Sequence, residues 1–258
     1  MKKPNKARFS KLVSASFLGL AILLQWSFVP ATSTVYPGTV ALRDTTSVHI
    51  ENTKKAAAFS FDNSMEIYDS LHLEEAGLSR MVYRTALKGM EKLSAKGWLK
   101  GHILAIVDFS QPSTNKRLYV IDLDNYELLY NTWVAHGMKS GKTMAQLFSN
   151  KPSSNKSSLG FYVTGEAYQG SNGYSLKLQG VEKGINDFAY RRAIVLHGAD
   201  YVSEQFIASQ GYIGRSKGCP AVPLDVCASM IDQIKEGNCL FIYHPTSAYR
   251  SKSALLKK

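Results

Sequence analysis

Apolar residues first cluster without a period from Leu12 to Val29, then thin out through residues 32–62, where Gly and Pro interrupt polar sequence. From Asn63 a helical period sets in. Asn63 and Glu66 stand three apart in a capping-box-like start, Ile67, Tyr68 and Leu71 share a face, and Gly77 offers a stop. A second helix is expected from Ser79, with Tyr83, Leu87, Met90 and Leu93 at helical spacing and Gly97 at its end. At His102 the pattern changes to that of strands. The runs 102–110, 117–123 and 127–135 are rich in β-branched and aromatic residues, and the polar turn Asp124-Asn125-Tyr126 joins the last two into a hairpin. Residues 139–158 are polar and read as a mobile surface loop. Three more strands are expected at 160–168, 174–180 and 192–198. Then Cys227, Met230, Ile231 and Ile234 form the stripe of one amphipathic helix begun by Pro223, and residues 239–245 form a closing strand. The expected fold is mainly β, a mostly antiparallel sandwich or barrel with one packed helix near the C-terminus and an N-terminal helical annex.

Composition changes this picture at one end. The chain has 258 residues with 31 Lys+Arg, 20 Asp+Glu and a formal net charge of +11, but five of the cations (Lys2, Lys3, Lys6, Arg8, Lys11) precede the first apolar run with no acid among them. That order, closed by Val29-Pro30-Ala31, reads as a secretory signal peptide cleaved after Ala31, or as a membrane anchor if it is not cleaved. The expected segments are thus a signal peptide (1–31), a flexible lead-in (32–62), a helical element (63–100), a β domain (101–246) and a basic tail (247–258). The destination is outside the cytoplasmic membrane, in the periplasm or cell envelope. Setting the five cations aside leaves 26 of the 31 basic residues against 20 acidic ones. This modest excess suits solubility or weak attraction to a polyanion. Export and the lack of an interleaved basic-aromatic stretch argue against nucleic acid as a partner.

The candidate chemistry lies in the last quarter of the chain. Three cysteines, Cys219, Cys227 and Cys239, leave at least one thiol unpaired within the chain. Cys227 and Cys239 fall on core positions, as thiols or as a disulfide. Cys219 follows Gly218 on a polar loop before a helix, where Arg215, Lys217 and free N–H groups favour the thiolate. Gly218 allows close approach of a substrate, and N–H groups nearby can face an oxyanion. His197, followed by Gly198, ends an apolar strand at the rim of the sheet and is the candidate base. The bland reading is a buried structural cysteine and a histidine held by a carbonyl. His136 could line the same cleft or be solvated, and His244 reads as structural. No histidine has ligand-like spacing to acids or cysteines, so no metal is expected.

His197-Gly198 followed by Ser216-Lys217-Gly218-Cys219 resembles the signature of the murein L,D-transpeptidase catalytic domain family, and Ser157-Ser158-Leu159-Gly160-Phe161-Tyr162 is similar to a strand start in that family. The resemblance covers the C-terminal half to two-thirds of the chain and implies an exported cysteine acyltransferase with the mainly β L,D-transpeptidase fold, working without a cofactor. Cys219 would attack the carbonyl of the L-centred third residue of a peptidoglycan stem peptide, release D-Ala and carry a thioester until an amine takes the acyl group. His197 would hold and return the proton, Gly218 and Cys219 would donate N–H groups to the oxyanion, and Ser216 would position His197. Arg215, Gly198 and Tyr212 fall to substrate binding, with Lys217 beside the oxyanion site. A monomer is expected, meeting membrane only through an uncleaved signal segment.

Three departures from the family pattern bear on this. Lys217 stands where His is common, Pro220-Ala221 replaces an apolar residue and Arg, and the interval from His197 to Cys219 is long, so residues 200–215 with Tyr201, Phe206 and Tyr212 could form a lid or wall. Arg215, Lys217, Arg191 or Arg192 could replace the missing Arg as carboxylate binder. Water as acceptor would make the protein an L,D-carboxypeptidase or other peptidoglycan hydrolase. Loss of the chemistry would leave a non-catalytic wall-binding protein.

Overall fold

The structure, a computed structural model, describes residues 60–257. The expected signal segment and all but the last three residues of the lead-in lie outside that range. The helical period from Asn63 gives α1 (Ser64–Ser70), and the chain then turns, burying Leu73 and Leu78, before α2 (Arg80–Ala95). The capping box sits three residues earlier than the sequence suggested, because Ser60 and Asn63 box a single 3-10 turn over Phe61–Asn63. Ser79 caps α2 by accepting from the Val82 N–H. Tyr68 donates to the Leu78 carbonyl and Tyr83 to the Ser64 carbonyl, so the buried rings of this annex also satisfy buried backbone acceptors.

The sheet contains β1 (Ile103–Asp108), β2 (Leu118–Asp122), β3 (Glu127–Thr132), β4 (Gly160–Gly170), β5 (Gly173–Gly180), β6 (Val195–Gly198), β7 (Ala221–Val222) and β8 (Cys239–Tyr243). They lie in the order β3-β2-β1-β8-β4-β5-β6-β7. A bridge from Ala135, just past β3, to Ala221 on β7 nearly closes the sheet into a barrel. Five pairings are antiparallel. The other two, β1 with β8 and β6 with β7, are parallel, so the sheet is mixed. Packing of α2 on β1 and β8 needs the backbone to come close. A Cβ on Gly89 would lie 2.0 Å from the Phe161 ring, and its absence lets the helix rest on that ring.

The amphipathic stripe read from the sequence is the buried face of α4 (Leu224–Ile234), with Cys227, Met230, Ile231 and Ile234 turned to the core and packed against β5 and β6. Two further helices flank it, α3 (Glu204–Gln210) and α5 (Ser247–Lys252). No helix among the described residues is long and apolar enough to cross a membrane.

Two segments are more ordered than their composition suggested. Residues 139–158 are no loose surface loop: Ser140, Ala145, Ser157 and Ser158 are buried, Ser140 Oγ accepts from Ser157 N–H, and Ser157 Oγ accepts from Gly137 N–H. The basic tail carries α5 and inserts Tyr249, Ser253 and Leu255 into the core. Its anchor is Glu182, 5% exposed, whose carboxylate accepts from Phe161 N–H, Tyr249 O–H and Ser253 O–H.

Burial holds the Glu182 pKa above the usual carboxylate value, against the pull of those donors. The folded state therefore binds this proton more readily than the unfolded chain. The contribution of Glu182 to stability falls as pH rises from the ordinary carboxylate value through the raised one. Glu182→Gln, which keeps an acceptor for Phe161 and Tyr249, is expected to cost under about 1 kcal/mol at pH 7 and to remove this pH dependence. Glu182→Ala orphans three donors and is expected to cost about 3 kcal/mol. Urea unfolding at pH 5 and pH 8 measures both.

Candidate active site

The parallel pair β6 and β7 brings the candidate residues together. His197 pairs with Ala221 and Gly198 with Val222, which sets Cys219 two residues ahead of the partner of His197. On its other side the turn from Arg215 to Pro220 is laced to the segment after β3. Ser216 N–H donates to the His136 carbonyl at 3.0 Å, and Met138 N–H to the Ser216 carbonyl at 2.8 Å.

Inside the turn, Ser216 Oγ donates to the Cys219 carbonyl at 2.6 Å and accepts from Gly218 N–H at 3.0 Å. This corrects two expectations. Gly218 N–H is consumed by the turn and is not free for an oxyanion, and the hydrogen bonds of the Ser216 hydroxyl brace the nucleophile loop rather than going to His197. Cys219 N–H has no acceptor among the described residues. Gly218 itself has φ +126°, and a Cβ there would lie 2.8 Å from the Lys156 carbonyl oxygen, so the turn tolerates no larger residue without shifting.

His197 is 5% exposed, and its Nδ1 lies 2.9 Å from the Gly198 carbonyl oxygen. A carbonyl only accepts, so Nδ1 is the nitrogen that carries a hydrogen, and in the neutral ring Nε2 then holds the lone pair. Gly198 thus acts through its backbone, as an orienting group for the ring. Cys219 is 9% exposed, and its sulfur has two hydrogen-bond partners. It donates to the Ala193 carbonyl at 3.6 Å and accepts from Val195 N–H at 3.5 Å, with no hydrogen bond to His197. Burial raises the thiol pKa, and Val195 N–H and then Arg192 pull it back. Ala193 holds a left-handed φ of +52°, strained for a residue with a Cβ, in the turn that presents this carbonyl.

The remaining expected site residues form a wall. Lys217 projects into solvent. Arg215 donates to the Gly141 carbonyl at 3.1 Å and lies 5.3 Å from the centre of the Tyr212 ring, which carries Lys142 at 4.9 Å. The long interval after His197 contains α3, with Ser203 as its cap and Phe206 edge-on to Tyr212. A cleft of about 720 Å³ opens past β6 and β7, lined by Trp133, Asp200, Glu204 and Leu224. A smaller cavity of about 280 Å³ is lined by Tyr190, Ala193, Ile194 and Val195, the stretch that bonds the sulfur.

His136 and Arg192 differ from their sequence readings, while the two core cysteines take the thiol alternative of theirs. His136 is fully buried, neither solvated nor at the cleft: Arg117 donates to its Nδ1 at 2.9 Å, and burial followed by that cation lowers its pKa to about 4. Cys227 and Cys239 are both free thiols. Arg192, considered above as a carboxylate binder, spends its guanidinium on the polar segment, donating to the carbonyls of Ser149 and Lys156 and to the hydroxyls of Ser154 and Ser158.

Residues 74–243, which take in α2 as well as the sheet, match the profile of an L,D-transpeptidase catalytic domain. No curated protein matches. Similar solved structures include an L,D-transpeptidase from Mycobacterium smegmatis, with 14% identity over 55% of this chain and 59% of that one at a TM-score of 0.34. L,D-transpeptidase 1 of Mycobacterium tuberculosis gives 13% identity over 55% and 61% at 0.31. The helical cell shape determining protein Pgp2 of Campylobacter jejuni gives 12% over 62% and 55% at 0.36. The chain spans less than two-thirds of the length of each.

Proposed function

Because the chain belongs to the L,D-transpeptidase catalytic domain family, we propose that it is an exported cysteine acyltransferase acting on peptidoglycan stem peptides, with Cys219 as nucleophile and His197 as base. The register of β6 and β7 carries this reading, since it sets an imidazole with a free Nε2 lone pair alongside the turn that bears the thiol. Export rests on the sequence of residues 1–31.

In the resting arrangement the S–H is held by the Ala193 carbonyl. Transfer of that proton to Nε2 of His197 turns the Ala193 contact from attractive to repulsive, while Val195 N–H bonds the thiolate more strongly. The sulfur is thereby released from Ala193 to turn toward a carbonyl carbon. Attack forms the C–S bond and places negative charge on the carbonyl oxygen, for which Cys219 N–H is the available donor. Collapse breaks the C–N bond, and the imidazolium returns its proton to the departing D-Ala amine. An acceptor amine then attacks the thioester, loses its proton to His197, and regenerates the thiolate.

Incubation of the purified full chain with disaccharide tetrapeptides, followed by mass analysis, tests this. The expected result is a covalent adduct on Cys219 and cross-linked dimers with release of D-Ala. Shortened monomers alone would make water the acceptor and correct the reading to a carboxypeptidase. Absence of both adduct and product would defeat it.

A further inference from the structure

Arg192 is half buried in the turn that precedes β6, and its four hydrogen bonds end on uncharged oxygens, two carbonyls and two hydroxyls. No carboxylate is among its partners in the described residues. Withdrawing a guanidinium from water without a counter-charge is costly, and neutral amide donors would serve loop carbonyls at less expense. Burial lowers the pKa of Arg192, and the buried Tyr162 phenol and then Cys219 raise it again. A Cβ on Gly218, the neighbour of Cys219, would stand 3.1 Å from Nη2.

Other titratable groups surround the turn. His197 lies on β6, with its Nδ1 engaged by the Gly198 carbonyl. Tyr201 follows β6, and burial raises its pKa to about 12, which leaves the phenol neutral at pH 7. Lys156 is half buried in the polar segment and meets Arg192 through its backbone carbonyl. Arg215 is engaged by Gly141 and Tyr212, and Lys217 extends into solvent. Arg192 is the one cation of this set that acts on the thiol.

We propose that Arg192 is the counter-charge of the Cys219 thiolate, a positioning residue that braces the wall of the site and stabilises the ionised nucleophile. This rests on the cysteine-nucleophile reading and removes Arg192 from the candidates for binding substrate carboxylate, because both of its terminal nitrogens are engaged within the protein.

The test is the pH dependence of iodoacetamide alkylation at Cys219, located by peptide mass mapping, in the folded full chain. Arg192→Gln is expected to raise the alkylation midpoint by about one pH unit and to slow alkylation at pH 7 about tenfold. Arg192→Lys keeps the charge while losing part of the bonding, and is expected to hold the midpoint within about 0.3 unit. Ser154→Asp neutralises the guanidinium in place and is expected to act like Arg192→Gln, which keeps the test decisive if the glutamine variant does not fold. Equal shifts in the Lys and Gln variants, or an unmoved midpoint in folded Ser154→Asp, would overturn the proposal. A wild-type protein that forms no acyl adduct with stem peptides defeats the nucleophile reading instead, whatever the midpoints do.

Discussion

Cys219→Ala is expected to form no acyl adduct with a stem peptide or an activated acyl donor, and to release no D-Ala above background. Cys219→Ser is expected to lose at least about 10⁵-fold in turnover, since a neutral hydroxyl takes the place of an ionisable thiol. Neither change should unfold the protein. The sulfur makes two long contacts, to Ala193 and Val195, and its removal leaves the brace from Ser216 to Gly218 N–H and the Cys219 carbonyl intact. The cost in stability is expected to be about 1 kcal/mol, measurable by urea unfolding alongside intact-mass detection of the adduct. The wild-type protein adds a pH signature. Burial raises the thiol pKa, so the thiolate is a minor species at neutral pH and the rate of adduct formation should climb as pH rises toward the thiol midpoint. A substituted protein that labels as fully as wild type at position 219 or elsewhere in the turn would sink the assignment.

Patterns internal to one element were legible in the sequence. The face of α2 with Tyr83, Leu87, Met90 and Leu93 and that of α4 with Cys227, Met230, Ile231 and Ile234 are buried as their spacing required, because helical periodicity reports burial directly. The hairpin of β2 and β3 was equally readable, with Tyr126 at positive φ in its turn. What escaped depends on partners distant in sequence. β7 is two residues long, too short to show alternation, and exists because β6 and Ala135 supply its hydrogen bonds. The parallel pairing of β1 with β8 joins residues over 130 positions apart, which no local pattern encodes. Residues 139–158 read as mobile because they are polar, yet Arg192 satisfies their carbonyls from another part of the chain. His136 read as solvated or cleft-lining at a loop end, and Phe109 just past β1 and Arg117 just before β2 pack against it.

The same contrast applies within the candidate site. A strand-end histidine and a Gly-Cys turn could be read from the sequence, and the register of β6 with β7 sets one alongside the other, but the work of each polar group around them could not be read. The family resemblance implied Ser216 at the ring and Gly218 N–H at the oxyanion. The four-residue loop from Ser216 to Cys219 instead closes on itself, with the serine hydroxyl both donating and accepting. A hydroxyl can satisfy either role within a tight turn, so its partner is set by backbone dihedrals such as the φ of +126° at Gly218, which residue identity alone does not specify.

His197→Gln is expected to reduce turnover by about a thousandfold while leaving the fold intact. Glutamine approximates the size of imidazole and can still donate to the Gly198 carbonyl, so the structural half of the residue is preserved. Its amide cannot accept the thiol proton or return it to the departing amine. The loss should fall on kcat more than on KM, since the imidazole acts on protons in flight and the stem peptide is bound by other groups. A second signature separates proton transfer from mere bulk. If His197 serves to deprotonate the thiol, raising the pH should recover part of the variant's first step, measured as adduct formation, because hydroxide can then ionise Cys219 unaided. The return of a proton to D-Ala would remain impaired. A His197→Gln variant with wild-type kcat would show that the imidazole is a packing group, and the base would have to be sought elsewhere around the turn.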